Sequence, residues 1–119
     1  MSLAAYQRVR TLAETPRDTE HRLVNEVTRA VVQAWDAGLR GAALMPALHR
    51  NREMWSTFAA SCGAAGNGLP AELRASIISL SLWVDRHTSA VMCGGETVEP
   101  LLDVNRLLLD GLSAQRLAA

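Results

Sequence analysis

Residues 69–91, LPAELRASIISLSLWVDRHTSAV, decide the fold of this chain. Pro70 is preset for a first helical turn, and Glu72 beside it favours the positive end of a helix dipole. From Ile77 to Val84 the segment is apolar on nearly every side. A surface helix carries one apolar stripe; a helix apolar all round is wrapped by other helices. At Asp85, Arg86 and His87 the apolar run gives way to three polar side chains. The stretch therefore predicts a buried central helix, Pro70 to about Met92, sheathed by the rest of the chain. Its polar end invites a partner or a polar cluster.

The sequence on either side repeats the helical period. No alternating strand pattern occurs, and aromatic residues are 4 % of the chain. A weak stripe of Leu3, Tyr6, Val9 or Arg10, and Ala13 predicts a loosely docked first helix over Leu3–Ala13. Thr15 as cap, Pro16 in the first turn, and Asp18 and Glu20 near the dipole's positive end start a second helix. It runs to about Ala37, where Gly38 and Gly41 end it. Its apolar face is Leu23, Val27, Ala30, Val31 and Ala34, broadened by Val24, Val32 and Trp35. A third helix covers about Leu44–Cys62, with Pro46 in its first turn. Leu44, Leu48, Trp55, Phe58 and Cys62 face the core, Met54 flanks them, and Asn51 interrupts the stripe. Gly63–Gly68 is a flexible loop. In the fourth helix Leu73, Ile77, Leu80, Val84 and Val91 share one face, completed by His87 or Thr88. Ile78, Leu82 and Trp83 cover its other sides. After Gly94 and Gly95 a last helix begins near Val98–Pro100, with Leu101, Val104 or Asn105, Leu108 and Leu112 as its stripe; Ser113–Ala119 is expected to fray.

The expected fold is therefore all-α: a single-domain helical bundle, residues 1–119, of about four to five helices around a buried central helix. A length of 119 residues suits one domain, and 49 % hydrophobic residues suffice for a modest core. Twelve basic and twelve acidic residues cancel. A nucleic-acid module carries a basic excess, because phosphate neutralisation drives its affinity. Direct nucleic-acid binding is therefore not expected. All twelve basic residues are arginine and none is lysine. Codon bias and a use for planar guanidiniums both account for that. Met1–Leu12 lacks the apolar region of a secretory signal, and no apolar run approaches the ~20 residues of a membrane span. A cytoplasmic protein without membrane contact is expected. Cys62 and Cys93 each precede a glycine and so read as helix ends. A helix of about 35 Å separates them, so no disulfide is expected.

Catalytic and cofactor motifs are missing. His21, His49 and His87 have no second ligand at metal-binding spacing, and Glu20 with His21 reads as a surface pair. His87 is better suited to fixing a nearby carbonyl or carboxylate. Neither cysteine has a base in local sequence. The Gly63–Gly68 loop has no lysine for a phosphate cradle. Enzymatic activity, a cofactor and a metal site are therefore not expected. Asn51 and Asn105 each break an apolar stripe and each precede an arginine. A buried amide must find partners, so they either fix helix register or form a polar notch for a partner's backbone. Trp35, Trp55 and Trp83 suit the core, and any left partly exposed would anchor a partner helix.

Ordered segments across the chain resemble the FlaF family of alphaproteobacterial flagellar biosynthesis regulators. They are Ala5-Tyr6-Gln7; Pro16-Arg17-Asp18-Thr19-Glu20 with Leu23; and Leu48-His49-Arg50-Asn51-Arg52 with Trp55. Further on come Leu69-Pro70, Leu73-Arg74-Ala75, Ile77-Ile78-Ser79-Leu80, and Leu82-Trp83-Val84 with Arg86-His87-Thr88. Pro100-Leu101-Leu102, Asn105-Arg106 and Gly111-Leu112 complete the set. The resemblance implies a small helical protein needed for flagellin production and export, associated with flagellin and with the translational regulator FlbT. It supplies no catalytic residue. It points first to a flagellin secretion chaperone whose apolar groove shelters an amphipathic helix, read at i, i+3, i+4 and i+7. Candidate partner-binding residues are Trp35, Asn51, Trp55, Trp83, Arg86, His87 and Asn105. The alternative is a post-transcriptional regulator of flagellin messenger RNA acting with or through FlbT. A third reading is a scaffold that dimerises through a leftover apolar face.

Overall fold

Proline and glycine punctuate the helices. Pro16 opens α2 (Pro16–Asp36), Pro46 is the second residue of α3 (Met45–Gly63), Pro70 caps α4 (Ala71–Met92) and Pro100 is the second residue of α5 (Glu99–Ala118). Proline is tolerated there because the first turn has no use for its missing N–H. Thr15 completes the start of α2 with a reciprocal cap. Its hydroxyl accepts the Asp18 N–H at 3.1 Å, and the Asp18 carboxylate accepts the Thr15 N–H at 3.2 Å. After α2 the chain turns at Gly38, whose φ of 84° favours glycine. A 3-10 turn over Gly41–Leu44, not foreseen from the sequence, then leads into α3.

The computed structural model describes the backbone of residues 2–13 and 15–118, and the side chains of 2–9 and 15–115. The expected stripe positions Arg10 and Ala13 lie outside the described side chains, as does Ala119 at the expected frayed end; α5 itself is helical through Ala118. α1 spans Leu3–Ala13.

The helix neighbours form a ring: α2 touches α3 and α5, and α4 touches the same two. This is a four-helix bundle, so no helix is central. The expectation of a buried central helix is corrected accordingly. A helix with two neighbours hides its inward side and leaves its outward side wet. In α4, Ile77, Val84, Thr88 and Val91 are buried, whereas Ile78 is 39 % and Leu82 62 % exposed. The core is shared: Val24, Val27 and Val31 from α2; Leu48, Trp55, Phe58 and Cys62 from α3; Leu101, Leu108 and Leu112 from α5. Leu23, expected on the α2 apolar face, lies at its exposed edge. The buried stripe is turned by one residue onto Val24.

α5 meets α4 at Gly111, where an added Cβ would lie 3.2 Å from Leu73 Cδ1. Glycine inside a helix costs about 1 kcal/mol against alanine. Here that cost is exchanged for close approach to the end of a flexible side chain. Gly111→Ala is therefore expected to change stability by no more than about 1 kcal/mol, because the helix gain and the crowding oppose each other. A urea midpoint measures it; a loss above about 2 kcal/mol would mean that Leu73 has no room to move.

α1 stands apart. Among the described residues it shares no substantial interface with any other helix. The radius of gyration is 15.5 Å, against about 13.5 Å for an ordinary domain of this length.

Candidate partner-binding surface

The seven residues chosen from sequence divide into a sealed set and an accessible set. Asn105 occupies the centre of the sealed set. Its Nδ2 donates to Asn51 Oδ1 at 2.8 Å and to Thr28 Oγ1 at 2.9 Å. Its Oδ1 accepts the Trp55 indole N–H at 2.7 Å. This network ties α2, α3 and α5 together inside the core. Asn51, Trp55 and Asn105 are all buried, so they are corrected as partner-binding residues: nothing can touch them while the bundle is closed. Their polar groups are spent on one another, which suits the register-fixing role. Only Asn51 Nδ2 stays unpaired.

The accessible set lies partly together. Trp83, Arg86 and His87 occupy neighbouring turns of α4. His87 stacks on Trp83 with ring centroids 4.7 Å apart, and its Nε2–H donates to the Thr97 carbonyl at 2.9 Å. The histidine therefore fastens the α4–α5 connection, the carbonyl-fixing role its position suggested. Arg86 is exposed and makes no hydrogen bond or ion pair among the described residues. Trp35 is elsewhere, at the end of α2. The Arg40 guanidinium lies 3.3 Å above its ring and donates to the Trp35 carbonyl at 3.0 Å. The pair lines a cleft of about 380 Å³ with Val91, Gly94 and Glu96.

Several contacts were not legible in sequence. His21, read with Glu20 as a surface pair, is half-buried instead. Its Nδ1 accepts from Asn25 at 3.3 Å and its Nε2 lies 2.9 Å from Ser113 Oγ on α5. Glu20 pairs with Arg17 at 2.6 Å. On the other side of the bundle Arg52 spans α3 and α4, donating to the Asp85 carbonyl at 3.0 Å and to Ser89 Oγ at 2.8 Å.

Two ridges of uncovered apolar surface stand out among the described residues, while Leu23, Leu39, Met45 and Leu107 are exposed elsewhere. Leu3, Tyr6 and Val9 of α1 are 71 %, 56 % and 57 % exposed on one side of an unpacked helix. Ile78 and Leu82 form a second ridge on α4. The sequence predicts a weak, loosely docked stripe for α1 and a covered position for Ile78 and Leu82 on a wrapped helix; the second expectation is corrected. A helix's periodicity says that one face is apolar, not that a neighbour exists to cover it. Among the described residues no three metal-ligating side chains gather, and no helix is long and apolar enough to cross a membrane.

Fold and surface together define a small all-α bundle with a sealed polar core and apolar ridges left open on its outside. Residues 2–112 match the family model described as "Flagellar protein FlaF", and the chain belongs to that flagellar family. The match includes α1 as well as the bundle. No curated protein and no solved structure matches the chain.

Proposed function

We propose that this protein binds flagellin as a secretion chaperone and thereby promotes flagellin synthesis and export. The observation that carries the reading is α1: a family-matched helix with three large apolar side chains in water and no bundle face to cover them. Isolated surface hydrophobes are ordinary, but an aligned ridge on an unpacked helix marks an interaction surface. Flagellin supplies the complement, since its amphipathic ends fold only in the filament. The bundle needs no chemistry for this task, only apolar surface presented at helical spacing. With twelve charges of each sign, any effect on flagellin translation runs through a protein such as FlbT rather than through RNA contact.

The test is co-elution with flagellin from the same organism at micromolar concentration. A complex is expected. The triple change Leu3→Ser, Tyr6→Ser and Val9→Ser should weaken it about tenfold or more, since burying one such side chain contributes about 1.5–3 kcal/mol. The thermal melt should stay in place because α1 contributes no core. Absence of any complex, with both proteins folded, overturns the reading.

A further inference from the structure

We infer that the outer groove between α3 and α4 seats one amphipathic helix of the partner, and that this helix carries a carboxylate about one turn beyond its apolar pair. The inference rests on the flagellin-binding reading above.

Ile78, Leu82 and Arg86 follow one another at intervals of four residues, a single line about 12 Å long on α4. The first two are the exposed apolar ridge of this helix. The third is an exposed guanidinium with no partner among the described residues. Its neighbour Asp85 is already engaged, with Oδ1 3.1 Å from Arg52 Nε. That ion pair and the bonds from Arg52 to the Asp85 carbonyl and Ser89 fix which side of α3 faces this edge of α4. Along the same side of α3, Ser56, Ala59 and Gly63 follow Arg52 at i+4, i+7 and i+11. Short side chains on one wall and Ile78 with Leu82 on the other make a groove rather than a flat face.

The charge selects the occupant. Arg52 and Asp85 cancel. Arg74, one turn before Ile78 on the same line, is a second cation without an ion pair among the described residues, half-buried near Cys62; the exposed one, one turn beyond Leu82, is Arg86. A helix that only buried Ile78 and Leu82 would leave this cation without a counter-charge beside apolar surface; one with an acid at the matching turn would satisfy it. The chain's own α1 does not qualify, in this copy or a second. Leu3–Ala13 contains Arg8 and Arg10 and no acid, so it would bring like charge to Arg86.

The experiment titrates labelled flagellin with the full-length protein and with Leu82→Glu, Arg86→Glu and Arg86→Lys, each checked by circular dichroism. Leu82→Glu is expected to lose affinity about tenfold or more. Arg86→Glu should lose a similar factor in low salt and less in high salt, while Arg86→Lys keeps most of the binding. Arg86 is exposed, so its variants carry the test if Leu82→Glu folds poorly. Slowed amide exchange across residues 78–86 on adding flagellin supports the same seat. Tight binding by wild type, equalled by Leu82→Glu and Arg86→Glu, overturns the groove and leaves the flagellin reading standing. No binding by wild type overturns that reading and this occupant with it. A wild-type dimer that Leu82→Glu dissociates overturns the proposal in favour of a second copy.

Discussion

Replacing Asn105 with alanine is expected to lower the unfolding free energy by about 3–5 kcal/mol, a large part of what a domain of this size possesses. One amide serves three partners, and its loss strands the Trp55 indole N–H, the Asn51 carbonyl and the Thr28 hydroxyl. Each buried polar group left unpaired costs about 1–3 kcal/mol. Asn51 Nδ2 is already unpaired, and as a donor it cannot replace the acceptor that the Trp55 N–H loses. Chemical denaturation with an unchanged m-value is the measurement. Trp55→Phe should cost less, and the double variant should cost less than the sum, because both remove the same bond. A loss below about 1 kcal/mol for Asn105→Ala would show that the network contributes little to holding α2, α3 and α5 in register.

The second large effect is kinetic. Both cysteines are free thiols, Cys93 exposed and Cys62 buried. Burial pushes the Cys62 thiol above its ordinary 9.0; Arg74 pulls against this, Glu20 adds to it and Arg17 opposes it. Only the thiolate attacks a disulfide reagent, and only an accessible one meets it. In the native protein Cys93 should therefore be labelled at once. Cys62 should wait for opening of the bundle, with a rate lower by a factor on the order of 1,000 or more. The same shift has a sign for stability. The folded thiol holds its proton more tightly than the unfolded one, so this contribution is fully present below about pH 9 and fades as pH rises through the raised value. Equal labelling of the two thiols would mean that the Cys62 end of α3 is not closed.

Much of the fold was legible because helix ends are written in local chemistry. All four prolines stand at helix starts, and Gly38 and Gly94 follow helix ends with φ of 84° and 81°. A cap or a first turn involves residues three or four apart, and a short window reads it. The core stripes of α3 and α5 were equally plain, since Leu48, Trp55 and Cys62, or Leu101, Leu108 and Leu112, keep helical spacing. What escaped involves residues remote in the chain. Asn105 meets Asn51 across 54 positions and Thr28 across 77, and His21 meets Ser113 across 92. Nothing local marks these pairs. The all-round apolar character of Ile77–Val84 misled for a related reason: it shows that α4 has more greasy surface than one stripe, but not how many neighbours share it. For the same reason Trp55 was a plausible anchor until its indole was found inside, and Leu82 a plausible core residue until it was found outside.

The reciprocal bonds between Thr15 and Asp18 carry one more consequence. They close the leading turn of α2 between residues three apart, so this entry is tied locally. A protease that clipped the chain just ahead of Thr15 would leave both of these bonds in place. Changes in α1 therefore leave this particular cap of the bundle intact.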